Sequence, residues 1–184
     1  MTTHFATADR DGNVVTVTQT LGGGFGSAVA ADGTGIFLNN MGGWFDLEEG
    51  SPNRIGPGRR VDFVVSPTQV FRDGRFVLSI GTPGSWGILQ TAPQMLLNAL
   101  EFGMNVQQAI EAPRFRYVTG TQVTMEERFP TEIRQALARY GHEVQIIEPW
   151  SASVGGAQAI AADSEQGIFQ GGADPRRDGF AFGL

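Results

Sequence analysis

Apolar and polar positions alternate along HFATADRDGNVVTVTQT, residues 4–20, on both sides of Asp11-Gly12. Two runs of period two around an Asp-Gly pair predict a β-hairpin. LGGGFGSAVAADGTG follows, too rich in Gly and small residues for regular structure, and reads as a loop. GIFLNN, residues 35–40, predicts a short strand. Residues 41–60, MGGWFDLEEGSPNRIGPGRR, show no periodicity; a loop of this length inside a domain usually serves as a lid or a binding loop. VDFVVSPTQVFRDGRFVLSIG, residues 61–81, predicts a second hairpin that turns at Asp73-Gly74.

The period then changes. After the turn TPGS, the positions Ile88, Leu89, Ala92, Leu96 and Leu100 form a helical stripe. Pro93 lies within it and should kink the helix or mark its true start. NVQQAIEAPRF predicts a short helix that ends before Pro113, and TQVTMEE a strand. PTEIRQALARYGH predicts a helix with Pro130 at its first turn and Gly141 beyond its end. EVQIIEP, AQAIAAD and GIFQGG predict three further strands. No repeat, low-complexity tract or linker interrupts residues 1–184, so the pattern describes one α+β layered domain.

Composition narrows the chemistry. The 184 residues are 41% hydrophobic, which suits one domain or one large piece of one. The net charge of -6 argues against a nucleic-acid partner, which needs a basic face. No apolar run is long enough for a transmembrane helix, and the first residues lack the charged-then-apolar pattern of a signal peptide. With no cysteine there is no thiol nucleophile, disulfide or thiolate metal site, and the redox compartment stays open. All 13 basic residues are arginine, so Schiff-base and Walker-type lysine chemistry is excluded too. His4 and His142 are too few for a histidine metal site. A Ser or Thr nucleophile activated by an N-terminal amine fits what remains.

The opening Thr2-Thr3-His4-Phe5, GIFLNN, Ser66-Pro67-Thr68, TPGS at 82–85, FGMNVQQAIEAPRF and the closing GGADPR occur in an order that resembles one family. It is the small, C-terminal subunit of the γ-glutamyltransferases (γ-glutamyltranspeptidases, glutathione hydrolases), and the likeness runs over essentially the whole chain. The resemblance implies an N-terminal-nucleophile hydrolase with a four-layer αββα sandwich. Its precursor cuts itself before a threonine, and a large subunit from the same precursor completes the fold. It implies no metal and no cofactor. The partners it implies are that large subunit, with the arginine that holds the substrate carboxylate, and a small-molecule amide substrate.

On this resemblance Thr2 is the nucleophile, and Met1 must be removed before its α-amine can act as base. That amine has a reference pKa of about 8, which suits general-base work near neutral pH. Thr20 matches the threonine that hydrogen-bonds the nucleophile; its plain alternative is a β-branched strand residue. Gly84 and Ser85 match the glycine pair whose backbone N–H groups form the oxyanion hole. A serine keeps that donor where its φ is permissible.

The substrate positions depart from the family pattern. Gly22 stands where an asparagine is expected, Met41 where Gln or Glu is, and Trp44 where an aspartate is. Phe63 and Val64 replace a Ser-Ser pair. An amino-acid head group against these side chains loses its hydrogen bonds and costs several kcal/mol of desolvation. Asp46 and Asp62 lie close enough in sequence to replace the amine anchor, with solvated loop acids as the plain alternative. LGGGFGS lacks the lysine and helix of a phosphate loop, and predicts backbone passing close to the nucleophile. Arg59-Arg60 reads as an exposed loop pair or a carboxylate clamp, and Asp174-Pro175-Arg176 as a structural motif. The expected activity is cleavage of an amide through an acyl-enzyme on Thr2 with an altered acyl pocket, as in cephalosporin acylases or small-amide hydrolases. The alternatives are a genuine γ-glutamyltransferase and a non-catalytic, unprocessed relative.

Overall fold

The computed structural model describes residues 1–163 and 165–183. The first hairpin pairs β1 (Thr2–Ala8) with β2 (Val14–Thr20) in antiparallel register, so that Thr2 faces Thr20 and Phe5 faces Val17. Its connection is wider than an Asp-Gly two-residue turn. Residues 9–13 close it, with the Asp9 carboxylate accepting from the N–H groups of Asp11 (3.0 Å) and Asn13 (2.9 Å) and from the Asn13 amide (2.8 Å).

The second hairpin is shorter than its sequence suggests. β3 (Thr68–Arg72) and β4 (Arg75–Gly81) turn at Asp73-Gly74, whose φ values of 51° and 74° are those of a primed turn. Residues 61–67 form no strand: Pro67 offers no ladder N–H, and the segment runs instead along the pocket described below. GIFLNN is also no strand. It keeps one bridge, Ala30 to Phe37, within a folded-back loop.

A turn of 3-10 helix, Ser85–Gly87, leads into α1 (Ile88–Leu100), which passes through Pro93 and does not begin at it. Its buried face is Ile88, Thr91, Ala92 and Met95; Leu89, expected on the stripe, is exposed. α2 (Val106–Glu111) starts with a capping box in which Asn105 and Gln108 satisfy each other's backbone N–H, and it stops before Pro113. β5 (Phe115–Thr119), absent from the sequence pattern, pairs with β6 (Gln122–Glu126). α3 (Thr131–Arg139) then carries the chain to β7 (Glu143–Ile147), parallel to β6. β8 (Gln158–Asp163) and β9 (Ile168–Ala173) complete a four-stranded sheet of order β3-β4-β8-β9.

Period-two alternation in β4 serves both faces of that sheet. Leu78 and Ile80 meet Met95 of α1, Val106 and Ile110 of α2, and Ala159 of β8 in the core. Ser79 points the other way and bonds Thr16 of the first hairpin at 2.7 Å. At Gly81 a Cβ would sit 2.2 Å from the His4 ring, so only glycine lets β1 cross there. The layers are thus helices, four-stranded sheet and hairpin, and this stacking places the Thr2 end of β1 above the turn at residues 82–85.

Candidate active site

The hairpin register builds the site's first pair. Residues facing each other across an antiparallel ladder share a side, and the Thr2 Oγ1 donates to Thr20 Oγ1 at 2.9 Å. Thr20 Oγ1 also accepts from the Gly22 N–H at 3.0 Å and donates to the Met1 carbonyl at 3.0 Å. Gly22 is confined by Asn40, whose amide oxygen lies 2.0 Å from where a Cβ would be. The glycine-rich stretch therefore does run close to the nucleophile candidate, with Gly22 at φ 81°.

Gly84 and Ser85 lie at the entrance to the turn before α1. Gly84 has φ 148°, a value side chains rarely adopt. Ser85 has φ 54°, in the left-handed region that a serine tolerates at a cost of about 1–2 kcal/mol. Neither backbone N–H has a partner among the described residues, and backbone donors left open before a helix suit a developing oxyanion.

One pocket of about 320 Å³ gathers Thr2, Thr20, Gly22, Met41, Trp44, Phe63, Val64, Gly84 and Ser85. Met41 and Val64 are buried, and Trp44 stacks on Trp86 with ring centroids 4.8 Å apart. Asp46 and Asp62 stay outside it. The Asp46 carboxylate is taken by Ser51 Oγ at 2.5 Å inside its own loop, and Asp62 is exposed with its N–H on Asn53. Asp46, expected as a pocket residue, is therefore not one. Arg59 and Arg60 are exposed and line no part of the pocket. Two other arginines do line it, Arg116 and Arg177, beside Ala152 and Ser153. Neither carries a local sequence signal: Arg116 lies on β5, which the pattern does not predict, and Arg177 merely follows the Asp-Pro-Arg motif.

That motif is structural, as its charge pattern suggests. Asp174 and Arg176 are buried with Arg114 and Glu126. Asp174 pairs with Arg114 and, at 3.1 Å, with Arg176; Arg176 reaches Glu126 at 2.6 Å. Burial opposes charge on both carboxyls. Led by the Arg176 hydrogen bond at Glu126 and the Arg114 charge at Asp174, the neighbouring arginines and backbone N–H donors together outweigh it and hold both below the usual carboxylate range. The cluster also fixes residues 151–157. Glu126 accepts from the Ser151 N–H, Arg114 donates to the Val154 carbonyl, and Asp174 accepts from the Ala157 N–H. Gly156 donates to Thr82 Oγ1 at 3.0 Å, tying that loop to the turn that carries Gly84. Among the described residues no group of three or more His, Asp or Glu could hold a metal ion, and no helix is long and apolar enough to cross a membrane.

The Gamma-glutamyltranspeptidase family matches residues 1–184. The "Glutathione hydrolase-like YwrD proenzyme" of Bacillus subtilis (strain 168) is 38% identical over 188 residues, covering 100% of this chain and 36% of that protein. A gamma-glutamyltranspeptidase from Pseudomonas nitroreducens complexed with L-DON matches with TM-score 0.85 and 28% identity, over 99% of both chains. Cephalosporin acylase from Bacillus halodurans matches with TM-score 0.87 and 36% identity, over 95% of this chain and 32% of that one. The chain thus spans about a third of the length of the curated relatives it matches. Its sheets and few helices match those of gamma-glutamyltranspeptidase structures, an N-terminal-nucleophile hydrolase fold. The chain belongs to the gamma-glutamyltranspeptidase family, whose members are acyl-transferring enzymes.

Proposed function

We propose that this chain is the catalytic small subunit of a threonine amidohydrolase whose acyl pocket has turned away from the γ-glutamyl group. The observation that carries the reading is the single pocket in which Thr2, Thr20 and Gly84 adjoin Met41, Trp44, Phe63 and Val64. Thr2 Oγ1 attacks the amide carbonyl and its proton passes to the Thr2 α-amine, directly or through a water. The N–H groups of Gly84 and Ser85 receive the oxyanion. The protonated amine then gives its proton to the leaving nitrogen, and water releases the acyl group from Thr2 by the same route.

The α-amine exists only after the residue before Thr2 is cleaved off. While Met1 is attached, that nitrogen is an amide and Thr20 is bonded to the Met1 carbonyl. Cleavage frees the Thr20 hydroxyl proton to orient the nucleophile. A large subunit from the same precursor completes the enzyme. The proenzyme names of the relatives and their threefold greater length support this partner. The acylase likeness supports the altered pocket, since that relative carries a non-glutamyl name on the same fold.

Acid quenching of the full two-subunit protein during turnover of an acyl anilide tests the reading. Peptide mass should show the acyl group on an N-terminal Thr2 peptide, absent from Thr2→Ala. An uncut precursor with unmodified Thr2 would contradict it.

A further inference from the structure

Arg116 and Arg177 differ from the other arginines near the pocket. Arg116 Nη1 donates to the Ser153 carbonyl at 2.7 Å, and Arg177 Nη2 donates to the Ala152 carbonyl at 3.1 Å. Two guanidinium groups, 61 positions apart in sequence, are thus tethered to adjacent carbonyls of one 3-10 turn, Ala152–Val154. Each has a glycine seat. A Cβ at Gly87 would lie 2.5 Å from Arg116 Nε, and one at Gly156 would lie 2.5 Å from Arg177 Cδ. Among the described residues neither pairs with a carboxylate, whereas Arg114, Arg128 and Arg176 all do. Arg116 Nε is buried without a hydrogen-bond partner, a feature it shares with Arg114 and Arg128.

Two like charges tethered to neighbouring carbonyls repel, and the tethers only partly offset that. A shared anion removes the repulsion, and the planar guanidinium fork suits a carboxylate. Both side chains line the pocket that contains Thr2, so an anion on them lies in the same pocket as that hydroxyl.

We propose that Arg116 and Arg177 form an anion subsite that binds a substrate carboxylate. Its connection to catalysis rests on the Thr2 reading above; the binding itself does not. The neighbouring wall of Met41, Trp44, Phe63 and Val64 offers methylene groups an apolar surface and offers an ammonium group no carboxylate and no side-chain hydrogen-bond acceptor. The substrate class this combination fits is a monoamide of a dicarboxylic acid, without an amino group beside the free carboxylate. The same carboxylate could instead be carried on the leaving amine.

The full two-subunit protein tests this by calorimetric titration with succinate and with butyrate, which differ by one carboxylate. Succinate should bind the wild-type protein more tightly by roughly 10- to 100-fold, the range for a charge-assisted bidentate contact. Arg116→Gln and Arg177→Gln should remove that margin, and Arg116→Lys should keep part of it. Equal binding of the two acids, or a margin untouched by both glutamine variants, would overturn the subsite. Arg177 is exposed, so its variant should fold even where Arg116→Gln does not.

Rates locate the carboxylate. Faster turnover of succinyl than of butyryl 4-nitroanilide assigns it to the acyl side. Faster turnover of N-butyryl-4-aminobenzoate assigns it to the leaving side, and either preference should fall in the glutamine variants. Succinate binding without any Thr2-dependent turnover would sink the acyl-transfer reading and leave the subsite standing. Thr2-dependent turnover indifferent to charge would sink the subsite alone.

Discussion

Two walls of the same pocket are built from opposite materials. One presents hydroxyl and N–H groups: Thr2 on Thr20 at 2.9 Å, the Gly22 N–H on Thr20, and the open donors of Gly84 and Ser85. The other presents Met41, Val64, Phe63 and Trp44, which is backed by its stack on Trp86. On the proposed function, the first wall addresses atoms common to every amide, namely the carbonyl carbon, its oxygen and the leaving nitrogen, and the second touches whatever the acyl group carries beyond them. That reading makes bond cleavage and acyl recognition separable on this chain. Electrostatics divides along similar lines. The charges of Arg114, Glu126, Asp174 and Arg176 neutralise one another behind the pocket, whereas Arg116 and Arg177, with no carboxylate partner among the described residues, bring positive charge to it.

The comparison is broken most severely from behind. Asp174→Ala strips the buried Arg114 of its carboxylate and the Ala157 N–H of its acceptor. It should cost about 3–5 kcal/mol, the usual penalty for an orphaned buried charge, seen as a lower denaturant midpoint of the full protein. Loop 151–157 loses its anchor as well, so both walls should suffer together.

A pH change in the near-neutral range acts first at His4, on the first hairpin. Burial lowers the His4 pKa from 6.5 to about 4, so the folded chain keeps His4 neutral where the unfolded chain protonates it. Stability should fall as the pH drops from about 6.5 toward 4, by at most about 3 kcal/mol. Unfolding curves across that window check this, and His4→Asn should flatten the dependence.

The gentlest change sharpens the comparison. Trp44→Asp with Phe63→Ser returns polar groups to the apolar wall at two incompletely buried positions. Turnover of a γ-glutamyl anilide should rise about 10-fold, the value of one recovered hydrogen-bonding anchor. An unchanged rate would mean that the wall does not set specificity.

The hairpins were legible because Asp-Gly turns and period-two runs are local. The Thr2–Thr20 pair is expected from the family resemblance alone, and the hairpin register supplies its physical reason, since closing the hairpin brings Thr2 opposite Thr20. Residues 61–67 misled because their apolar pattern serves a pocket lining as well as a strand. β5 escaped because Phe115–Thr119 becomes a strand only by pairing with β6. Leu89 misled for a related reason: helical period gives a stripe, and packing selects which edge of it is buried. Asp46 was near the pocket in sequence, yet Ser51 turns it into its own loop. Arg116 and Arg177 had no local signature at all, because a loop held by distant ion pairs brings them together.

The most direct measurement is release of 4-nitroaniline by the full two-subunit protein, from the γ-glutamyl anilide beside butyryl and succinyl anilides, with Thr2→Ala in parallel. The walls as built predict that a non-glutamyl acyl anilide is turned over fastest, and that Thr2→Ala loses that activity by roughly 10⁴-fold or more. Thr2-dependent turnover that favours the γ-glutamyl anilide, or turnover that survives Thr2→Ala, would contradict the account.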